Sequence, residues 1–232
     1  MSAAASAPRG LNGASIARAT IATLVFLSGF VMIEPAPSDL LLCLVVLVWL
    51  FFGLKLTRAM TPLIALMMLY VAGGLLSFTQ LTAFAKPTTY LATTAFLAIS
   101  AIFYCAILQA DAARRLRTIE HAYIASAIVC ALIGILGYFG AIPGASMFTL
   151  YERAKGPFKD PNVFGPFLIL PFVVLARSIL TRSILRSGWT MLGALILLAG
   201  IFLSFSRGAW GMAILSLAVM VLLVFITENR SS

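Results

Sequence analysis

Long apolar runs divide the chain, and each is long enough to cross a lipid bilayer as a helix, which takes about 17–25 residues. The runs cover residues 15–33, 40–56, 61–79, 88–110, 119–139, 162–180, 189–205 and 209–227. Backbone polar groups find no partner in lipid outside a helix or a closed barrel, and continuous runs favour helices over the alternating strands of a barrel. The sequence therefore predicts an all-α, polytopic transmembrane helix bundle with about eight spans.

The composition excludes a water-soluble domain. Hydrophobic residues make up 62% of the chain, and only 10% of its residues are charged, whereas a soluble domain has roughly 25% charged residues. The outer surface must therefore face the lipid bilayer. The net charge of +9 does not indicate a nucleic-acid partner, because the basic residues are scattered between apolar runs and form no single stripe.

The loops between the runs predict an orientation. With the N-terminus in the cytoplasm, most of the 16 Lys and Arg residues fall on the inside, as the positive-inside rule requires. Both termini are then cytoplasmic. We expect residues 1–14 to be a disordered cytoplasmic tail and residues 15–232 to form one transmembrane domain. A cleaved signal peptide is the alternative for the first run, but no small-residue cleavage site follows it.

Five basic residues lie on the outside in this topology, against the rule: Lys86, Arg153, Lys155, Lys159 and Arg207. Three of them belong to one polar loop, residues 151–167, with the sequence Y-E-R-A-K-G-P-F-K-D-P-N-V-F-G-P-F. Basic residues placed against the orientation rule are candidates for a functional role.

The end of this loop predicts a helix start. Asp160 is a favoured N-cap residue, and Pro161 suits the first helical position. The first free N–H groups of that helix, near Asn162 and Val163, would point outward and attract anions. With Arg153, Lys155 and Lys159 just before them, they predict a cradle for phosphate or pyrophosphate.

A second motif, L-S-F-S-R-G-A-W at residues 203–210, joins the last two runs. The topology places Arg207 on the same side as the polar loop, with the hydroxyl of Ser206 beside it. Arginine suits bidentate recognition of phosphate. The structural alternative is that Arg207 ends a span and extends to the membrane interface with no further role.

Metal chemistry is not expected. Cys43, Cys105 and Cys130 lie inside apolar runs and form no C-x-x-C pair, and His121 has no neighbouring histidine or cysteine. These spacings fit neither a disulfide framework nor a metal site. The sequence therefore predicts no metal ligands and no cofactor.

The two motifs together resemble those of the O-antigen ligase and polymerase-like membrane proteins, which carry a similar D-P-N-x-x-G at a helix start and an S-x-S-R-G turn. The resemblance covers residues 153–210 by motif. It implies a protein of the bacterial inner membrane that assembles surface polysaccharide such as lipopolysaccharide. The donor would be a glycan on undecaprenyl diphosphate at the periplasmic face, and the acceptor a lipid A core or another glycan.

The resemblance implies a role for each candidate residue. Arg153 and Arg207, with Asp160, are the predicted catalytic residues of this glycosyltransferase chemistry. Residues that would bind the pyrophosphate of the substrate are Lys155, Lys159, Asn162 and Ser206. Family members usually continue into a large periplasmic loop with a catalytic histidine, so we expect this chain to lack that C-terminal part. Glu152 or Asp160 would then have to act as general base.

Two other functions fit the sequence. Broken helices whose N-termini face anions also build transporter sites, so an anion transporter is one alternative. A non-catalytic membrane subunit is the other, if the short chain is its natural length.

Overall fold

The computed structural model describes residues 13–51, 56–77, 85–181 and 188–228. Eight α-helices dominate, and the structure is 83% helical. The helices are α1 (Gly13–Leu27), α2 (Pro37–Phe51), α3 (Thr61–Ser77), α4 (Ala85–Ala110), α5 (Ala112–Tyr138), α6 (Pro161–Thr181), α7 (Gly188–Leu203) and α8 (Arg207–Glu228). Each overlaps one of the predicted apolar runs. Of the predicted tail, residues 1–12 lie outside the described residues, and Gly13 already begins α1.

Five of these helices are long and apolar enough to cross a membrane: α3 with the 3-10 turn before it, α4, α5, α6 and α8. Helices α1, α2 and α7 are apolar but have only 15 or 16 residues. The protein is therefore an all-α, multi-pass membrane protein. The count of eight spans and the cytoplasmic position of both termini stay predictions.

The chain forms two compact units. The first unit takes the described residues of Met1–Leu40 and Thr118–Ser232, and the second takes those of Leu41–Arg117. In the second unit, α3 packs on α4. Here Thr57 donates a hydrogen bond to Gln109, and the Arg115 guanidinium lies over the Trp49 ring, 5.8 Å from its centroid.

The first unit has a core built from α5, α6, α7 and α8. Small residues of α5, among them Ala127 and Ala131, share one buried cluster with Phe164 and Leu168 on α6. All four are fully buried. Small residues let the helix backbones approach closely, which is how helices associate in lipid. The polar loop and the α7–α8 turn both lie at one end of this core.

Gly165 sets the distance between α6 and the α7–α8 turn. A Cβ atom at this position would lie 2.7 Å from Ser204 Oγ and 2.8 Å from Ala209 Cβ. These separations are shorter than van der Waals contact, so only glycine allows the two segments to meet here. Pro166 and Pro171 lie inside α6, and the helix nevertheless continues through both to Thr181.

Candidate functional site

A tight β-hairpin begins the polar loop. Strand β1 (Thr149–Leu150) pairs antiparallel with β2 (Arg153–Ala154), and Leu150 faces Arg153 across the ladder. The two residues of the turn, Tyr151 and Glu152, both have positive φ, 52° and 59°. Turns with this backbone favour Asn-Gly, and other residues there carry strain. The hairpin therefore presents an exposed Tyr151 ring and an exposed Glu152 carboxylate on a strained tip.

The loop then folds into the core of the first unit. Ala154 and Phe158 are 0% and 2% exposed. Gly156 has a φ of 53°, and a Cβ on it would lie 2.9 Å from the Cys130 carbonyl of α5. The Val31 N–H donates to the Pro157 carbonyl at 3.0 Å and ties the chain after α1 to the same loop. These contacts hold the loop rigidly, so its cationic side chains project from a fixed base.

Asp160 caps α6, as the sequence predicts. Its Oδ1 accepts a hydrogen bond from the Asn162 N–H at 2.6 Å, and its carbonyl accepts from Val163 and Phe164 at 3.1 Å. The N–H groups of Asn162 and Val163 therefore already have partners. This corrects the expectation that they stay free for an anion, because Asp160 at the N-cap accepts from both, through its carboxylate and its carbonyl.

Arg153 connects the two motifs directly. Its Nε donates to the Ser204 carbonyl in the α7–α8 turn at 2.8 Å, and its Nη2 donates to Asn162 Oδ1 on α6 at 2.8 Å. The guanidinium is half-buried. Two of its five N–H groups are used in this way, and the other three have no partner among the described residues. Asn162 thus positions Arg153.

The α7–α8 turn is held by its two serines. Ser204, fully buried, donates to the Ile201 carbonyl at 2.6 Å and so closes the end of α7. Ser206 is 4% exposed, and its Oγ accepts from the Ala209 N–H at 3.3 Å as the N-cap of α8. Between them, Phe205 has a φ of 45°. The Ser206 hydroxyl, predicted to contact pyrophosphate, is turned inward and caps a helix.

Arg207 is the first residue of α8 and is exposed. It forms no ion pair with any residue whose side chain the structure describes. A cation at a helix N-terminus opposes the helix dipole, at a cost of about 0.3–1 kcal/mol. A bound anion at this end of α8 would remove that cost.

The two lysines differ in their surroundings. Lys159 Nζ lies 2.7 Å from Glu34 Oε1, in the segment between α1 and α2, and both side chains are at least half exposed. Glu34 is not among the residues that the sequence predicts for the site, because nothing in the sequence shows that its segment returns to the polar loop. Lys155 is half-buried, and its N–H donates to the Phe148 carbonyl at 2.9 Å.

An aromatic cluster lies beside the α7–α8 turn. The Trp210 ring stacks on Phe202, with centroids 5.3 Å apart, and its Nε1 donates to the Ile201 carbonyl at 3.1 Å. Phe205 contacts Trp210 and Tyr138 at centroid distances of 6.2 Å. Aromatic rings of this kind concentrate at the membrane–water interface.

We call the set of Arg153, Lys155, Lys159, Asn162 and Arg207 the cationic site. Within it, hydrogen bonds join Arg153 to Asn162 and to the α7–α8 turn that carries Arg207, and Lys159 pairs with Glu34. The described residues contain no group of three metal-ligating side chains. The site can bind an anion through guanidinium and ammonium groups, with the Glu152 carboxylate close by in the chain. Asp160 supports the cationic site structurally, because the Asp160 carboxylate caps α6.

Comparisons with protein-family models, with curated proteins and with solved structures give no match to this chain.

Proposed function

We propose that the cationic site binds the diphosphate of a lipid-linked glycan and that the protein transfers or polymerises such glycans in bacterial surface polysaccharide assembly. One observation supports this above all: Arg153 joins the start of α6 to the turn before α8. The two motifs that resemble the O-antigen ligase and polymerase-like proteins are thus joined by direct hydrogen bonds, although Arg153 and Ser204 lie 51 residues apart in the chain. Neither motif alone supplies both hydrogen-bond partners of Arg153.

The chemistry of the site suits a diphosphate on a membrane anchor. Guanidinium groups bind phosphate oxygens through paired N–H donors, more strongly than neutral groups do. Arg153 keeps three N–H groups for a ligand, and Arg207 extends from the neighbouring helix start. The prenyl chain of such a donor would lie in the bilayer beside the helices, while its diphosphate would reach the site at the interface.

In the proposed reaction an acceptor hydroxyl attacks the anomeric carbon of the donor sugar. The bond from this carbon to the diphosphate oxygen breaks, and its electron pair leaves with the prenyl diphosphate. Arg153 and Arg207 stabilise the negative charge that develops on that oxygen, so side-chain cations supply the electrostatic stabilisation. The hydroxyl proton goes to a carboxylate. Glu152 fits this role better than Asp160, because Asp160 already accepts the Asn162 N–H.

The test is surface glycan analysis in a strain that lacks the gene and is complemented with variants. Arg207→Ala should abolish glycan transfer while the protein stays in the membrane at wild-type abundance. Arg58→Ala is the matched control, since Arg58 is an exposed arginine in the second unit. Full glycan transfer with Arg207→Ala would show that the cationic site is assigned wrongly.

The same strain separates ligase from polymerase. If polymer is lost altogether, the protein polymerises glycan units; if polymer stays on the lipid carrier, it ligates them. An unchanged glycan profile in the deletion strain, together with uptake of a labelled anion into proteoliposomes, would instead establish a transporter.

A further inference from the structure

Helices α6 and α8 are in contact near their starts and border a groove in their later turns. At their starts they touch, because the Gly165 position has Ala209 as its neighbour. Toward their C-terminal ends they enclose a groove of about 660 Å³, within the range of roughly 300–1,000 Å³ of ligand sites. Among the residues that line it are Val173, Arg177, Leu215, Ser216, Val219 and Thr227.

The length of the groove matches one hydrocarbon chain. Its α8 wall runs from Leu215 to Thr227, which is about 18 Å of helix. One leaflet of a bilayer has a hydrocarbon depth of about 15 Å. The walls are mostly apolar, and their outer rim is open to lipid, since Leu215 and Leu223 are 66% and 56% exposed. An acyl chain of the surrounding bilayer can therefore enter from the side.

Arg177 gives the groove a charged end. It lies about 24 Å along α6 from Pro161 and one turn before the helix ends at Thr181. It is exposed and forms no ion pair with any residue whose side chain the structure describes. The favourable position near a helix C-terminus explains why a cation is tolerated here. It does not explain why the guanidinium borders an apolar groove.

We propose that this groove binds an anionic glycerophospholipid, with one acyl chain between α6 and α8 and the phosphate on Arg177. Basic residues beside grooves between membrane helices are suited to such head groups. The prenyl chain of a donor is the less suitable occupant, because its diphosphate would be at the opposite end of α6, about 24 Å away. This second site is independent of the proposed glycan chemistry.

The test is native mass spectrometry of the delipidated full chain, titrated with phosphatidylglycerol and phosphatidylcholine of identical acyl chains. Phosphatidylglycerol should bind first, at one copy per chain. Arg177→Gln should weaken phosphatidylglycerol binding by roughly tenfold or more, the loss expected for a charge-assisted hydrogen bond. It should also remove the preference over phosphatidylcholine, because the choline cation already offsets the phosphate charge of that lipid. Arg18→Gln, an exposed arginine on α1, is the matched control and should keep the preference.

A second variant tests the groove itself. Val219→Trp fills the groove from a lipid-exposed position, so it should weaken the binding of phosphatidylglycerol. The variant should still elute as folded protein. Equal binding of both lipids by the wild type, or an unchanged preference in Arg177→Gln, would overturn the proposal. Displacement of the bound phosphatidylglycerol by an equimolar polyprenyl phosphate would also overturn it, because the groove would then belong to the prenyl chain.

Discussion

Replacing Gly165 by alanine should separate α6 from the α7–α8 turn. The new Cβ would lie 2.8 Å from Ala209 Cβ, whereas ordinary contact starts at 3.4 Å. The segments must therefore move apart by about 0.6 Å (3.4 − 2.8). Ser204 cannot give way easily, because its hydroxyl, 2.7 Å from the new Cβ, holds the Ile201 carbonyl at 2.6 Å. Overpacking of this kind costs about 1–3 kcal/mol.

The assay is thermal unfolding of the purified protein in detergent, followed by tryptophan fluorescence. For a chain of this size each kcal/mol corresponds to about 2–4 °C, so the midpoint should fall by about 2–12 °C. Gly211→Ala on α8 is the matched control, since a Cβ there meets nothing within 4 Å. If the unfolding midpoints of Gly165→Ala and Gly211→Ala differed by less than roughly 1 °C, the close approach of α6 to the α7–α8 turn would be refuted.

Three further changes test the residues that support the cationic site, by the same unfolding assay and, for the last change, by diphosphate binding as well. Asp160→Ala should lower the free energy of unfolding by about 0.5–2 kcal/mol through loss of the cap, while Asp160→Asn keeps it; equal stability of the two variants would contradict the capping role. Replacing Tyr151-Glu152 by Asn-Gly should raise stability by about 1 kcal/mol or more, because that pair suits the positive φ of the turn; a lower midpoint would exclude the strained turn. Glu34→Gln should change stability by less than about 1 kcal/mol, since its pair with Lys159 is exposed, yet strengthen diphosphate binding by releasing Lys159; weaker binding would show that Glu34 contacts the ligand instead.

The positions of the helices could be predicted from the sequence because lipid leaves the backbone so few alternatives. The run at residues 162–180 became α6 (Pro161–Thr181), and its start was predicted from Asp160-Pro161 alone. The first run ends earlier than expected, at Leu27 instead of residue 33. Beyond that end, the Val31 N–H donates to the Pro157 carbonyl, a contact that the sequence does not reveal.

That the polar loop and the α7–α8 turn lie together could be predicted from the sequence, but the hydrogen bonds between them could not. The orientation rule singled out Arg153 and Arg207 as exceptions, and the structure brings the segments that carry them together. The partners of Arg153, the Ser204 carbonyl and Asn162, depend on how three helix ends pack, which apolar periodicity does not specify. The inward orientation of the Ser206 side chain could not be predicted, for the same reason. The hairpin was missed because Tyr-Glu is not a sequence that favours a tight turn.

The central claim is that the cationic site binds a diphosphate, and the most direct test is a binding isotherm. Purified protein in detergent micelles is titrated with undecaprenyl diphosphate and, in parallel, with undecaprenol, which has the same chain without the charge. We expect the diphosphate to bind more tightly than the alcohol. Arg153→Gln and Arg207→Gln should each weaken the affinity for the diphosphate by roughly tenfold or more. Arg58→Gln should leave that affinity unchanged. Equal binding of alcohol and diphosphate, or equal affinity in all three variants, would contradict the account.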